Sequence, residues 1–562
     1  LKYELKKAYV DQPKAGQISL SKPDNGVLQQ FVWDISELKL SPLDELTFWI
    51  EVTDNDGYNG RKTTKSQLVT LTVPSLVNYF ESLDKKEDEV ETDLDSVSET
   101  FEQMTEAYEE FEESLKNNPE PTFENKRQLE ETAKRQEEVR EKLDELNKKF
   151  DEIKKELDEN SLLSDETRQT YEELQKLMEE IDDPALKEAL EKLRENIDQL
   201  NPEQLRQAME DVKFNEQDYQ KRLERTIELF KKLKLMSDLE KLAKSFDDQA
   251  RQEKEMAESP PSVEETENKR KEDLEQLDKL ENAIDELSKN SSENNEKPIS
   301  EFQESSKDEI NENVRKQIEE WLEEQSEESK SGGDNSESDN ENSNNQNQQQ
   351  QQPNLQEPFE NLAQKARSLM NSIGQQQMQI NIAGLQYVLN SLLVLSTEQE
   401  DLVYLTQTTE DRSLAYIELA RDQRNVEQIL SFVSDSLFEL SKDVPQFSNE
   451  INEKTDELER QLERSLKQMA ERSQRNSRVA SRQAFGGINE IAFMIANLLE
   501  QLQDQQNSGQ GGSGSSGSPS MQQMIEQMGK MKGDQQQINQ QIQQMINDMQ
   551  GERLSQDQMG RL

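Results

Sequence analysis

The sequence predicts a mainly α protein, a broken coiled coil with helical bundles, preceded by a few β-strands and interrupted by long disordered segments. Apolar side chains recur every second residue up to about Ser75, then every three or four residues from Leu76 onward. Only 31% of the 562 residues are apolar and 33% are charged. That is too little apolar surface for one large globule to offset its chain entropy, so several small cores in extended helices are expected.

Residues 1–75 read as strands. Leu46, Phe48, Ile50 and Val52 alternate with Thr47, Trp49, Glu51 and Thr53, and Val69, Leu71 and Val73 form a partner strand stopped by Pro74. The stretch FVWDISELKLSPLDELTFWIEV resembles the last strands of an immunoglobulin-like or fibronectin-like sandwich, so 1–75 is expected to be part of such a β-sandwich. Between the strands, DNDGYNG carries an acidic pattern. Placing Gly57 at the sixth position of a calcium loop puts Val52 at the first and Thr63 at the twelfth, neither with a carboxylate. The favoured reading is a hairpin turn; a calcium site of another design using Asp54 and Asp56 is the alternative.

Residues 76–258 are expected to be a broken antiparallel coiled coil. Val139, Leu143, Leu146, Phe150, Ile153 and Leu157 keep a four-three spacing. Breaks are expected at Ser161 to Ser164, at Asp183 and Pro184, and at Asn201, where Pro202 and Gln204 supply a first-turn proline and a capping-box glutamine. Leu186, Leu190, Leu193, Ile197 and Leu200 stripe the helix before this last break. A linker at Ser259, Pro260, Pro261 and Ser262 leads to acidic helices over 259–327, with Trp321 as their anchor. The Ser/Asn/Gln-rich segment 328–358 has almost nothing to bury and is expected to be disordered. A helical region follows over 359–506, with a buried helix over 380–395, a stripe of Ile417, Leu419, Ile429, Phe432 and Leu437, and a cut at Gly486 and Gly487. A Gly/Ser linker (507–520) and a Met/Gln-rich amphipathic helix with its tail (521–562) end the chain.

Composition also limits chemistry. With no His and no Cys, imidazole catalysis, thiolate nucleophiles, disulfides and Zn–Cys or Zn–His sites are unavailable to these residues. A net charge of −53 argues against nucleic acid as a partner. The longest strongly apolar run, IAFMIANLL, is about half the roughly 20 residues of a membrane-spanning helix, so any membrane anchor is expected upstream of Leu1. No catalytic residue, cofactor or metal is expected.

Two constellations are candidates for interaction. Arg472, Arg475, Arg478 and Arg482 form a basic face with Arg460, Arg464 and Lys467 upstream. The favoured reading is that this face docks against the acidic helices of the same chain, with anionic lipid, an acidic partner or nucleic acid as alternatives. Met521, Met524, Met528 and Met531 make a thioether stripe that Ile538, Ile542, Met545 and Met549 continue without sulfur at every position. That pattern favours a helix that packs or grips partners over a Cu(I) site.

The order of these features resembles the large bacterial proteins grouped as Domain of Unknown Function 4175. The hairpin DNDGYNGRKTTKSQLVTLTVPS and the segment FGGINEIAFMIANLLEQLQDQQNSGQGGSGSSGSPSMQQM, with Asn489, Glu490, Ala492, Ala496 and Leu499, carry the resemblance. It implies hydrophobic anchoring helices near the N-terminus of the parent protein, a large helical soluble region, and no established catalytic activity. No binding residues carry across. The expected function is a non-catalytic, membrane-anchored scaffold or protein-interaction platform of the bacterial cell envelope, its soluble region periplasmic, with partners bound or self-association driven through helical stripes. Alternatives are a secreted or soluble coiled-coil tether or adhesin, a chaperone-like holdase working through the Met-rich terminus, or an enzyme.

Overall fold

The computed structural model describes residues 1–7, 13–20, 31–38, 40, 44–54, 61–73, 75–117, 121–160, 162–181, 184–197, 202–258, 261–292, 295–331, 352–410 and 412–509. These are mostly helical, with a small antiparallel sheet at the N-terminus. The strands are β1 (Lys2–Lys6), β2 (Lys14–Gln17), β3 (Glu45–Trp49), β4 (Glu51–Thr53), β5 (Thr63–Lys65) and β6 (Val69–Thr72).

A four-stranded sheet has the order β2-β1-β3-β6, and β4 pairs separately with β5. Leu46 faces Leu71 and Phe48 faces Val69, the pairing that the alternation predicts. Leu5 and Leu46 are buried, and Trp33 packs 5.1 Å from Tyr3 and 5.9 Å from Phe48. The Tyr3 ring lies across Gly16, where a Cβ would fall 2.2 Å from it, so the cross-strand partner must be glycine. Beyond Trp49 the burial fades: Ile50 and Val52 are exposed. There the chain changes partner: Ile50 donates its N–H to the Ser66 hydroxyl, its carbonyl accepts from the Ser66 N–H, and β4 goes on to pair with β5. Asp54 then closes the hairpin, its N–H donating to the Lys62 carbonyl and its carboxylate accepting from the Lys62 N–H at 2.9 Å. Asp56 and the rest of the turn lie outside the described residues.

The helices are α1 (Leu76–Asn117), α2 (Phe123–Asn160), α3 (Asp165–Ile181), α4 (Ala185–Asn196), α5 (Pro202–Glu258), α6 (Val263–Glu286), α7 (Glu296–Glu309), α8 (Lys316–Ser331), α9 (Gln356–Thr408), α10 (Leu414–Ser441), α11 (Asn449–Ala470) and α12 (Gln474–Gly509). The chain divides into two compact units. One comprises Leu1–Val90, Glu159–Thr167 and Lys231–Ser372; the other comprises Glu91–Asp158, Arg168–Phe230 and the chain from Ile373.

In the first unit, Ser164 starts α3 as predicted: the Thr167 N–H donates to its hydroxyl, and the Glu240 carboxylate accepts from the Ser164 N–H at 2.7 Å. Ser262 starts α6 through a reciprocal capping box with Glu265. Trp321 is not the only anchor of the acidic helices. Ile299, Phe302, Ile310, Val314 and Ile318 are buried as well, on a stripe that runs through a π-helical turn at Ile310–Arg315. Arg315, the last residue of that turn, reaches Asp278 at 2.8 Å and Glu281 at 2.7 Å on α6. The segment expected to be disordered is helical at both ends, since α8 continues to Ser331 and α9 begins at Gln356. Residues 332–351 lie outside the described residues.

In the second unit, α1 and α2 run antiparallel, tied by Lys142 to the Ser96 and Thr100 hydroxyls at 2.8 and 2.7 Å and by Lys149 to Asp93 at 2.7 Å. The whole predicted stripe from Val139 to Leu157 is buried. The expected cut at Gly486 and Gly487 does not occur. α12 runs through both glycines, and Gly487 instead lets α11 come close, since a Cβ there would lie 3.2 Å from Leu458. The break falls at residues 471–473, where Arg472 turns the chain with a φ of 55°.

Candidate functional site

The C-terminal four helices of the second unit are bound by one apolar core. It contains Leu385, Leu392 and Leu402 of α9, Leu419, Leu430 and Leu437 of α10, Leu458 and Leu462 of α11, and Ile488, Ile491 and Leu499 of α12. Across its middle runs a fully buried polar layer with one residue from each helix: Gln399, Gln423, Ser465 and Ser481. The two amides donate to each other's oxygens at 2.8 and 3.2 Å. Gln399 also donates to the Ser481 carbonyl at 3.1 Å, and the two serine hydroxyls lie 2.8 Å apart. Two further buried ties flank the layer, Ser396 to Asn489 at 2.8 Å and Tyr416 to Ser477 at 2.6 Å. Inside a low-dielectric core each of these groups depends on its partners, so the layer allows one axial alignment of the four helices.

The bundle is closed from outside by Arg225 of α5. Its guanidinium is buried and donates to the carbonyls of Ser441 and Phe447 and to the Asn449 side chain. Burial lowers the Arg225 pKa to about 10, while Glu180 and Glu173 oppose the shift. The loop between α10 and α11 is thereby held by three acceptors at once.

With its inner face fixed, α9 presents an outer face of unusual composition. Residues 368–397 contain no charged side chain, although a third of the protein is charged. Ile380, Tyr387 and Val394 recur every seven residues on this face; Ile380 is half-buried, Tyr387 is 69% exposed and Val394 57%. Tyr404 and Leu405 continue the exposed apolar surface toward the end of the helix. By length and composition α9 would cross a membrane, but Asn381, Ser396 and Gln399 tie it into the bundle, and 44% of its most apolar window is buried. The buried helix expected over 380–395 is therefore buried on one side only. The stripe expected on α10 divides likewise: Leu419 and Leu437 are buried, whereas Ile417, Ile429 and Phe432 are exposed.

The other candidate groups come out differently. Arg472 lies in the turn between α11 and α12, and Arg475, Arg478 and Arg482 lie on α12, so they do not share one continuous helical face with Arg460, Arg464 and Lys467. All four are exposed, and none has an ion-pair partner among the described residues. Arg460 stacks on the Phe214 ring at 3.6 Å instead. Met521, Met524, Met528 and Met531 lie outside the described residues.

In the first unit Asp84, Glu87 and Asp238 bring carboxylate oxygens within 4.8 Å of one another. The Lys241 ammonium fills that space, 2.6 Å from Asp84 and Glu87 and 3.1 Å from Asp238. The cluster is a buried ion network built around its own cation. Burial pushes the Asp238 carboxyl up to about 7 despite the pull of Lys241, and raises Asp84 in the same way. Glu216 in the second unit is also pushed up to about 7, again by burial, with Glu109 nearby. A groove of about 580 Å³ between α2 and α4 is lined by both signs of charge, Lys187 pairing with Glu137 at 2.9 Å, and gathers no set of like groups on one point. No family model, curated protein or solved structure matches the chain.

The α9 face and the polar layer both escape the periodicity reading. Gln399 sits on an apolar stripe between Leu395 and Leu402, and its type suggests an exposed site. The thirty-residue gap in charge was the available signal for the outer face.

Two outcomes follow from this geometry. Gln423→Ala removes the amide that pairs with Gln399 and the oxygen that accepts from Ser465 and Ser481, and should cost about 1–3 kcal/mol in a urea melt. The paired Gln399→Leu/Gln423→Leu exchange removes both amides together and should cost clearly less. Equal losses in the two variants would contradict the layer's mutual dependence. As for pH, Asp238 and Glu216 hold their protons in the folded chain up to about 7, whereas their ordinary values are 3.8 and 4.5. Between those limits the folded state binds more protons, so stability should fall as pH rises from about 5 to 7. The slope is at most about 1.4 kcal/mol per group for each step of one in pH. Urea midpoints measured across this range should lose most of that slope in Asp238→Asn/Glu216→Gln.

Proposed function

We propose that this chain is a non-catalytic helical scaffold, a protein-interaction platform whose working surface is the uncharged outer face of α9. The observation that carries the reading is the outward seven-residue stripe of Ile380, Tyr387 and Val394 on a helix locked from behind by Gln399 and Ser396. A helix fixed in rotation and register presents the same apolar face at all times, which is what recognition of a partner helix requires. The net charge of −53 favours solvation of the charged surface, so an uncharged face is where an apolar partner meets least repulsion.

The resemblance to Domain of Unknown Function 4175 supports placing the platform in a bacterial cell envelope, with the described helices periplasmic and a membrane anchor in the parent protein. In this reading the N-terminal sheet belongs to an immunoglobulin-like sandwich, and the α1–α2 pair is one arm of a broken coiled coil.

Tyr387→Glu/Val394→Glu puts two charges on the face without touching the core, so its melting curve should match that of the unsubstituted chain. Proteins that co-purify with the parent from its own cells should fall at least about tenfold in that variant, the loss expected when a central apolar anchor is removed. Undiminished recovery would move the working surface elsewhere. The membrane assignment has its own check: carbonate-washed membranes should retain the native parent protein, and its release into the wash would point to a free rod or tether.

A further inference from the structure

Nothing among the described residues covers the outer stripe of α9, yet the same chain holds a segment of matching chemistry. The position of α12 brings that segment within reach. Asn489 lies beside Ser396 at 2.8 Å, and Gln474 donates to the carbonyls of Thr406 and Thr409, so α12 runs antiparallel to α9. At 1.5 Å per residue, residues 489–509 on α12 and residues 396–376 on α9 each cover about 30 Å. The end of α12 is therefore level with the start of the exposed stripe.

From that point the sequence continues with a Gly/Ser tether, residues 510–520, and then the stripe of Met521, Met524, Met528 and Met531. A Gly/Ser-rich chain of this length spans about 18 Å on average. As a helix, residues 521–549 would be about 42 Å long, against about 36 Å for residues 380–404 of α9. Charge favours the same pairing. Residues 510–549 carry three acidic and two basic side chains, so they approach α9 with little repulsion. A second copy of a chain with net charge −53, or an anionic membrane, would approach against strong repulsion. The tether also holds the segment at an effective concentration in the millimolar range.

We propose that residues 521–549, which lie outside the described residues, dock in cis along the Ile380, Tyr387 and Val394 face of α9 and cap it until a partner helix displaces them. The capping role rests on the platform reading; the docking itself does not. Flexible thioethers suit the uneven surface made by a tyrosine, a valine and the intervening small residues.

The absence of cysteine makes the test direct. The 562-residue chain carrying Val394→Cys has a single thiol, and the rate of its reaction with a maleimide reports whether the face is covered. That rate should rise about tenfold when Met521→Gln, Met524→Gln, Met528→Gln and Met531→Gln are added, as expected if the cap is closed nine-tenths of the time. Tyr387→Cys should behave alike, and Phe432→Cys on α10 should react equally in both backgrounds. The slow rate should persist on dilution. Equal rates at Val394→Cys with and without the methionines would overturn the proposal, as would protection that disappears on dilution, which would assign the cover to a second copy. Equal rates with co-purification still sensitive to Tyr387→Glu/Val394→Glu would remove the cap and leave the platform. Loss of that sensitivity with protection intact would do the reverse.

Discussion

Repulsion among 120 acidic side chains, set against 67 basic ones, is the constraint on which the rest of this structure depends. Apolar stripes bring the helices together, but narrow stripes leave many like charges close by. The chain answers by placing single cations where several acceptors converge. Lys241 gathers three carboxyl groups, Arg270 sits between Glu253 and Asp273, and Arg315 bridges two acids on α6. Such ion groups add little net stability compared with a well-packed apolar core, yet removing one member leaves the others exposed to each other's charge. They therefore specify which helices meet more than they strengthen the meeting.

The C-terminal bundle solves the same problem with neutral groups. Its layer of two glutamines and two serines forms a closed set of hydrogen bonds without any charge, and its outer α9 face has none either. Within a strongly acidic protein this is the region where another apolar surface can approach at least electrostatic cost. Fixed inner contacts and an uncharged outer face thus occur on the same helix for related reasons. The first sets its rotation, and the second makes that rotation useful.

Much of the architecture was legible in the sequence, because helix and strand periods are local signals. The stripe from Val139 to Leu157 is buried throughout, and α3, α4 and α5 begin beside the breaks predicted from Ser164, Pro184 and Pro202. The misses share one cause: a residue's local tendency was overruled by its neighbour in space. Gly487 reads as a helix breaker but is a point of close approach to Leu458, and Arg472 reads as part of a helical face but takes the left-handed turn conformation. Trp321 stood out as an anchor, whereas Val314 is buried within a π-turn that periodicity does not show. The candidate surface was legible only as an absence of charge. The inward glutamines that orient it were not, since Gln carries no sign of burial in its local pattern.

The polar layer has a mechanical consequence as well. Sliding α9 by one residue along its neighbours would shift Gln399 about 1.5 Å against Gln423 and Ser481, stretching hydrogen bonds between fully buried groups. An all-leucine interface would pass through a series of nearly equivalent positions under the same pull. The layer therefore acts as a detent: tension applied along the bundle is carried without creep up to a threshold, and then released in one step.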